Sequence, residues 1–375
     1  MGEHMLALAG ELRGRFSLSF VCPPSSAGQS LLDRARVMGI PVLPLDWHES
    51  GNAAAILSGW LRTRHVAVFH AHAGIGWEGH AAISAARQAG VASIVRTEHL
   101  PYLLTDPEQQ LAYRRILAAV DRLICVSHAA RDGFLQAGVP ARKLRTVRNG
   151  VPSPGLRARS SLASRLSLPH GARAVLTVAR FEPQKGHRYL LDATRTVLAH
   201  HPQVRFVWVG DGPLRRGFED EARGRGLSEA VRFLGPRSDA RDLMRGADLL
   251  VLPSLFEGLP LVILEAMAAG LPVVATQVTG TAEAIQDGVS GRLVPPANPR
   301  ALAAAIVEAL QRPALAAAWA RAGRERVQEE FSAARMAREV ATIYEEVLAA
   351  RRACYQERRG MQPAATKTLA GMRSG

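Results

Sequence analysis

Ala247 to Thr276 reads ADLLVLPSLFEGLPLVILEAMAAGLPVVAT, which parses as strand, loop, helix, strand. Leu249 to Leu252 is apolar on both faces, as a strand inside a parallel sheet must be. Ser254 to Gly258 is the loop at that strand's carboxyl end. Pro260 suits a first helical turn, and Gly270 followed by Pro272 stops the helix. From Leu259 to Ala269 the only polar side chain is Glu265. A helix apolar nearly all round is a buried helix, and a lone carboxylate on it is costly unless something bonds to it. Glu257, eight positions earlier, sits at the mouth of the loop. It faces the crevice in which open α/β sheets bind ligands.

Working outward, the same alternation fills the chain. Upstream, strands are expected at Phe16 to Cys22, Pro41 to Leu45, Val66 to His70, Ser93 to Thr97, Arg122 to Val126 and Leu144 to Val147, with helices between them. Strand–helix alternation of this kind implies a parallel, doubly wound sheet. Asn149-Gly150-Val151 opens a stretch rich in Pro, Ser and Arg that reads as a linker. A second run of the pattern starts with the strand Ala174 to Arg180 and continues with Val204 to Val209 and Val231 to Leu234. The helices Ala314 to Gln328 and Ala333 to Ala350 follow, and Met336, Val340, Ile343 and Val347 make one face of the second. The expected division is a first domain over 1–150, a linker over 151–172, a second domain over 173–332, a cross-over helix over 333–350 and a disordered basic tail over 351–375.

Polar residues gather at expected strand ends. His70 and His72 follow one strand, and Arg96-Thr97-Glu98-His99 another. Solvation or backbone bonding accounts for such histidines when they are taken alone. His70 and His72 share a strand face, but no third ligand is evident nearby, so no metal site is expected. Arg180 and Lys185 bracket a strand-to-helix turn. A guanidinium fork and an ammonium beside a helix N-terminus suit a diphosphate. Gly210-Asp211-Gly212 is a tight turn lacking the third glycine of a dinucleotide fingerprint. Arg237, in the turn after Val231 to Leu234, is either a ligand contact or a solvated cation.

The 375 residues suffice for about two domains, and at 47% hydrophobic they can fill two cores. With 47 basic against 33 acidic residues the net charge is +14, which suits an anionic partner. Nucleic acid is disfavoured, because aromatics are only 5% and no recognition-helix or zinc pattern appears. Cys22, Cys125 and Cys354 are isolated, giving no metal spacing and no disulfide framework, in keeping with a cytoplasmic location. No apolar run reaches a membrane span; Leu259 to Ala275 is broken by Glu265, Gly270 and Pro272.

FEGLPLVILEAMAAGLPVVAT resembles the E-x7-E signature of the retaining family 4 glycosyltransferases. The resemblance implies the GT-B fold: α/β, two Rossmann-like domains with doubly wound parallel sheets facing a cleft, and a C-terminal helix crossing back to the first domain. It implies a metal-independent, hexosyltransferase-type enzyme that moves sugar from a nucleotide-diphosphate sugar to an acceptor hydroxyl, with no cofactor. By the same resemblance Glu265 binds the ribose, while Glu257 and the amides of Gly258 and Leu259 hold the donor sugar. R-F-x-P-x-K-G matches the family's diphosphate-binding pair, Arg180 and Lys185. The turn of Arg237 lies near the base. V-R-T-E-H and V-F-H-A-H resemble cleft-lining segments, placing His99 beside the donor sugar and His72 on the acceptor side. The chain has no Asp-x-Asp pair to clamp a metal. A nucleotide-sugar epimerase of the same fold and a non-catalytic nucleotide-sugar-binding protein are the alternatives. The family's acceptors are frequently lipid-linked, as in envelope glycolipid and polysaccharide synthesis. With the net charge, this gives an expectation of peripheral contact with the inner, anionic face of the cell membrane.

In the family a first strand and a glycine-rich G-G-x-E turn precede the first helix. Here Met1-Gly2-Glu3-His4 leads straight into Met5 to Leu12, and only Gly2 and Glu3 stand as an acceptor-side remnant. The expectation is that the chain as written lacks that strand.

Overall fold

The computed structural model describes residues 1–47, 51–74, 76, 78–153 and 161–360. The first half runs α1 (Gly2–Leu12), β1 (Phe20–Cys22), α2 (Ser26–Val37), β2 (Val42–Pro44), α3 (Ala53–Thr63), β3 (Val68–Ala73), α4 (His80–Gln88), β4 (Ser93–Glu98), α5 (Pro107–Ala119), β5 (Arg122–Cys125), α6 (His128–Gln136) and β6 (Leu144–Thr146). Strands β3-β4-β5-β6 form a parallel sheet, and β1-β2 form a separate parallel pair. Among the described residues no strand joins the two. Helix α1 covers the apolar surface on both sides of the break. Its Leu6 and Ala9 pack with Phe20, Leu31 and Ile40, while Ala7, Leu8 and Leu12 pack with Val95, Ile124 and Val147. Gly2 and Glu3 are therefore the first turn of a helix, not a glycine turn.

Two strand ends differ from the expectation for one reason. Strand β3 runs on to Ala73 and β4 to Glu98, paired residue for residue from Val68 opposite Ser93 to Ala73 opposite Glu98. His70, His72, Arg96 and Thr97 are thus inside strands, where their side chains find partners. His70 Nε2 lies 2.7 Å from Thr97 Oγ1, and Arg96 forms an ion pair with Glu98, both fully buried.

The second half runs α7 (Leu162–Arg165), β7 (Arg173–Val178), α8 (His187–His200), β8 (Val204–Val209), α9 (Arg215–Gly224), β9 (Val231–Gly235), α10 (Ala240–Gly246), β10 (Leu249–Leu252), α11 (Leu261–Ala268), β11 (Val273–Thr276), α12 (Thr279–Ala284), β12 (Arg292–Val294), α13 (Pro299–Gln311), α14 (Pro313–Glu330) and α15 (Ala333–Gly360). Its six strands are parallel in the order β12-β11-β10-β7-β8-β9. Side chains alternate between the faces as strand geometry demands. Leu250 and Leu252 enter one core with Leu176 and Ile263, and Leu249 and Val251 enter the other with Phe206 and Trp208. Between β7 and β10 the strand order reverses direction, the point at which open α/β sheets form a ligand crevice.

Two segments tie the halves together. The linker starts beside the entry to α15, where Val151 N–H donates to Phe331 O at 2.8 Å and Ala333 N–H donates to Val151 O at 2.9 Å. Helix α15 then lies across the first half, burying Met336, Val340, Ile343 and Val347 against Val95, Ile124 and Val147. It continues to Gly360, so 351–360 are helix rather than tail; 361–375 lie outside the described residues, as do 154–160 of the linker. Among the described residues no single helix is long and apolar enough to cross a membrane. Only α13 and α14 pass that test, as a pair meeting at 99°.

Within the second core, His187 stacks on Phe181 at 4.4 Å and meets Trp208 edge-on at 5.2 Å. Neither ring nitrogen has a partner, and burial, aided by Lys185, pushes its pKa from 6.5 to about 4. Between those values the unfolded chain takes up a proton that the folded chain refuses, so stability falls as pH drops through that window. His187→Phe removes this contribution. Its melting temperature at pH 5 should fall less, relative to pH 7, than that of the wild type; equal falls would mean that His187 is not held neutral.

Candidate active site

The turn after β7 and the loop after β10 meet at the switch point. Gly186 lets them do so: its φ is +66°, and a Cβ there would stand 1.9 Å from the Pro253 carbonyl oxygen. Gln184 stitches the two together, accepting from Leu255 N–H at 2.7 Å and donating through Nε2 to Phe256 O at 2.9 Å. Lys185 Nζ then donates to Glu257 Oε1 at 2.6 Å, and Ser254 Oγ donates to the same oxygen at 2.7 Å. A turn cation is expected to pack little, yet Lys185 is only 16% exposed and Glu257 5%. Arg180 is the solvated member, 66% exposed beside Glu182 at 2.8 Å. Gln184 carries no signal in the sequence, because its partner is created by the approach of two turns about 70 residues apart.

Glu265 projects from α11, the buried helix, and is neither free nor solvated. Arg241 on α10 donates to its Oε1 from Nε at 2.9 Å and Nη2 at 2.7 Å. Burial raises the Glu265 pKa while Arg241 opposes that shift. The same guanidinium reaches Glu3 at 3.1 Å, and Glu3 also takes Arg34 on α2. A chain of alternating charge thus joins the two halves. Arg237, by contrast, pairs with Asp239 at 2.8 and 2.9 Å.

Across the crevice the first half presents His99. Its carbonyl oxygen would stand 2.1 Å from a Cβ on Gly258, so only glycine lets the loop and the end of β4 touch. His72 Nδ1 lies 3.2 Å from His99 Nε2. His4, from α1, meets His99 edge-on at 4.7 Å and His72 at 5.3 Å. His70 stacks on His72 at 4.2 Å and is held by the Tyr344 hydroxyl at 2.6 Å. Burial pushes all four imidazoles toward the neutral form, His4 to about 4 and His70 to about 3. The expectation that no third imidazole accompanies the β3 histidines is overturned, since His4, His72 and His99 bring ligand atoms within 4.8 Å of one another. Asn149 was legible only as the opening of the linker stretch. It bonds His4 Nδ1 at 2.9 Å and donates from Nδ2 to Leu259 O at 2.6 Å, linking the histidines to the Glu257 loop.

Comparison with known proteins agrees with this geometry. Residues 1–153 match the family model described as Glycosyltransferase Family 4, and residues 172–312 that described as Glycosyl transferases group 1. The D-inositol 3-phosphate glycosyltransferase of Thermobispora bispora is 31% identical over 64% of this chain and 59% of its own length. The glycogen synthase of Mycobacterium tuberculosis is 33% identical over 62% of this chain and 55% of its own. The chain therefore spans less than two thirds of these relatives. The crystal structure of Anabaena Alr3699/HepE in complex with UDP-glucose superposes with a TM-score of 0.78 at 23% identity, covering 92% of this chain and 95% of that one. Its likeness establishes the two-domain GT-B fold.

The Lys185–Glu257 contact makes a stability prediction. Lys185→Met leaves a buried carboxylate without its cation, which costs about 3–5 kcal/mol when a buried pair is broken one-sidedly. Lys185→Arg keeps the charge and should cost less. Urea denaturation orders the three proteins; a Lys185→Met midpoint equal to wild type would show that the pair is solvated.

Proposed function

The chain belongs to the group 1, family 4 glycosyltransferases, and from that premise we propose that it transfers a hexosyl group from a nucleotide-diphosphate sugar to an acceptor hydroxyl with retention. The observation that carries this reading is the Lys185–Glu257 pair at the switch point, just before α11, with Arg180 exposed on the same turn as Lys185. A diphosphate leaving group needs fixed cations and free helical N–H groups, and a sugar needs an acceptor for its hydroxyls. Here all three sit in one crevice.

In this mechanism Arg180 and Lys185 neutralise the charge that develops as the glycosidic C–O bond to the phosphate breaks. As Lys185 turns to phosphate, Glu257 is released to accept from the sugar hydroxyls. The amides of Gly258 and Leu259 orient the same sugar, with His99 on its far side. Glu265 accepts from the ribose diol once Arg241 yields part of its carboxylate, and Arg237 lies near the base. The departing phosphate oxygen takes the acceptor proton. His72 and His99, held neutral far below the usual range, are poor bases and serve as hydrogen-bonding walls. His72, Gly2 and Glu3 line the acceptor side. The lack of an Asp-x-Asp pair supports metal-independent transfer.

Thermal-shift screening of nucleotide sugars, followed by acceptors offered with the best donor, tests the reading. Arg180 is exposed, so Arg180→Ala should melt like wild type while losing roughly 100-fold or more in turnover. Glu265→Gln should weaken nucleoside-diphosphate affinity, because an amide is a poorer acceptor for a diol. Turnover within a few-fold of wild type for the first, or unchanged affinity for the second, refutes the assigned role.

The acceptor we propose is lipid-linked, with the enzyme cytoplasmic and peripheral at an anionic membrane face. The net charge of +14 supports this, since basic residues near such a surface contribute roughly 1 kcal/mol each. Liposome flotation at low salt should recover the protein with anionic vesicles and not with neutral ones. Equal recovery sinks the membrane proposal and leaves the transfer reaction untouched.

A further inference from the structure

We propose that His4, His72 and His99 form a binding site for one borderline divalent transition ion, Zn2+ or its analogues Co2+ and Ni2+, and that its occupancy brakes the enzyme. Three imidazoles converge from three elements: α1, β3 and the residue after β4. Each offers a ligand nitrogen, and these all lie within 4.8 Å of one another. His72 Nδ1 and His99 Nε2 are already 3.2 Å apart. Two nitrogens on one tetrahedral ion at about 2.1 Å stand about 3.4 Å apart, so this pair needs almost no movement.

The tautomer of His4 is fixed by Asn149. The Asn149 amide nitrogen donates to the Leu259 carbonyl, which leaves its oxygen facing His4 Nδ1. An amide oxygen only accepts, so His4 Nδ1 carries the proton. His4 Nε2 is therefore a bare lone pair. It is buried on a residue 2% exposed and has no partner. An Nδ1–H anchored to a carbonyl with Nε2 directed at the ion is how proteins prepare a histidine ligand. His70 is not a ligand, since Tyr344 and Thr97 occupy its two nitrogens, but its stacking fixes the His72 ring. Three neutral imidazoles without a carboxylate select Zn2+, Co2+, Ni2+ or Cu2+ over Mg2+ and Ca2+. His72 and His99 keep partial exposure, which gives the ion a way in.

Occupancy has a mechanical consequence. His99 packs its carbonyl against Gly258, and His4 is tied through Asn149 to Leu259. An ion joining His4 to His99 braces Gly258 and Leu259, the two residues that follow Glu257, and withdraws His99 from a sugar. Bound Zn2+ therefore inhibits, and a chelator restores activity.

Metal binding is measured on the full chain without donor or acceptor, so its outcome is independent of the transfer reaction. Equilibrium dialysis should find one Zn2+ per chain at about micromolar affinity or tighter, undisplaced by millimolar Mg2+. Cobalt loading should give the visible bands of a low-coordinate Co2+ site. His4→Gln and Asn149→Ala should each weaken binding about tenfold or more, whereas His200→Asn, on an exposed helix end, should not. X-ray absorption of the Zn2+-loaded wild type should count three imidazoles, a readout that requires no variant to fold. Absence of stoichiometric binding, fewer than two imidazoles, or undiminished affinity in His4→Gln overturns the proposal.

Discussion

The contact that the rest of the second half depends on is the approach of two turns at Gly186 and Pro253. It leaves no room for a side chain, and it forces Lys185 and Glu257 into a hydrogen-bonded pair below the surface. A buried pair is expensive to desolvate, so its presence at the mouth of a crevice is better explained by ligand exchange than by stability. Each partner holds the other in position. A ligand carrying both phosphate and hydroxyl groups replaces both halves of the pair together, and one carrying only one kind strands the other partner. The geometry thus favours a ligand in which anion and polyol are covalently joined.

Much of this arrangement is legible in the chain because it is local. The strand Leu249–Leu252 is apolar on both faces, and Val204–Val209 is apolar but for Arg205; both are found at the residues their patterns indicate. Glu257 and Glu265 stand out because they interrupt an apolar run. The first half is harder to read. Strands β3 and β4 carry His, Arg, Thr and Glu inside their ladders, so hydrophobic pattern stops marking β3 three residues too soon and β4 one residue too soon. Those polar groups are satisfied by partners as remote as Tyr344, which no local pattern contains. Arg241 is similarly silent: it is one arginine among many in an Arg-rich chain, and only the packing of α10 on α11 aims it at Glu265. His4 and Asn149 meet across 145 residues, which is why the histidine cluster shows no ligand spacing in sequence.

The two halves are joined more by polar contacts than by apolar surface near the crevice. Glu283 on α12 accepts from the backbone N–H groups of His128 and Ala129 at 3.0 and 2.7 Å. It places a carboxylate on the positive end of α6, beside the helix's own cap, Ser127. The Arg34–Glu3–Arg241–Glu265 series crosses at another point. Contacts of this kind are weakened by salt and exchange readily with water, whereas α15 is fastened to the first sheet by apolar contacts. The crevice side therefore has the looser fastening.

Helix α15 also sets the order in which the molecule can be finished. Val95, Ile124 and Val147 form one wall of a core whose other wall is Met336, Val340, Ile343 and Val347. On the ribosome the first wall is made about 190 residues before the second, which at roughly 5–20 residues per second is a delay of about 10–40 s. Throughout that interval the apolar face of the first sheet has only α1 to cover it, beside a break between β1-β2 and β3. The nascent first half is consequently the stage at which this protein most needs a chaperone, and shortening the chain from its C-terminal end would extend that exposure indefinitely.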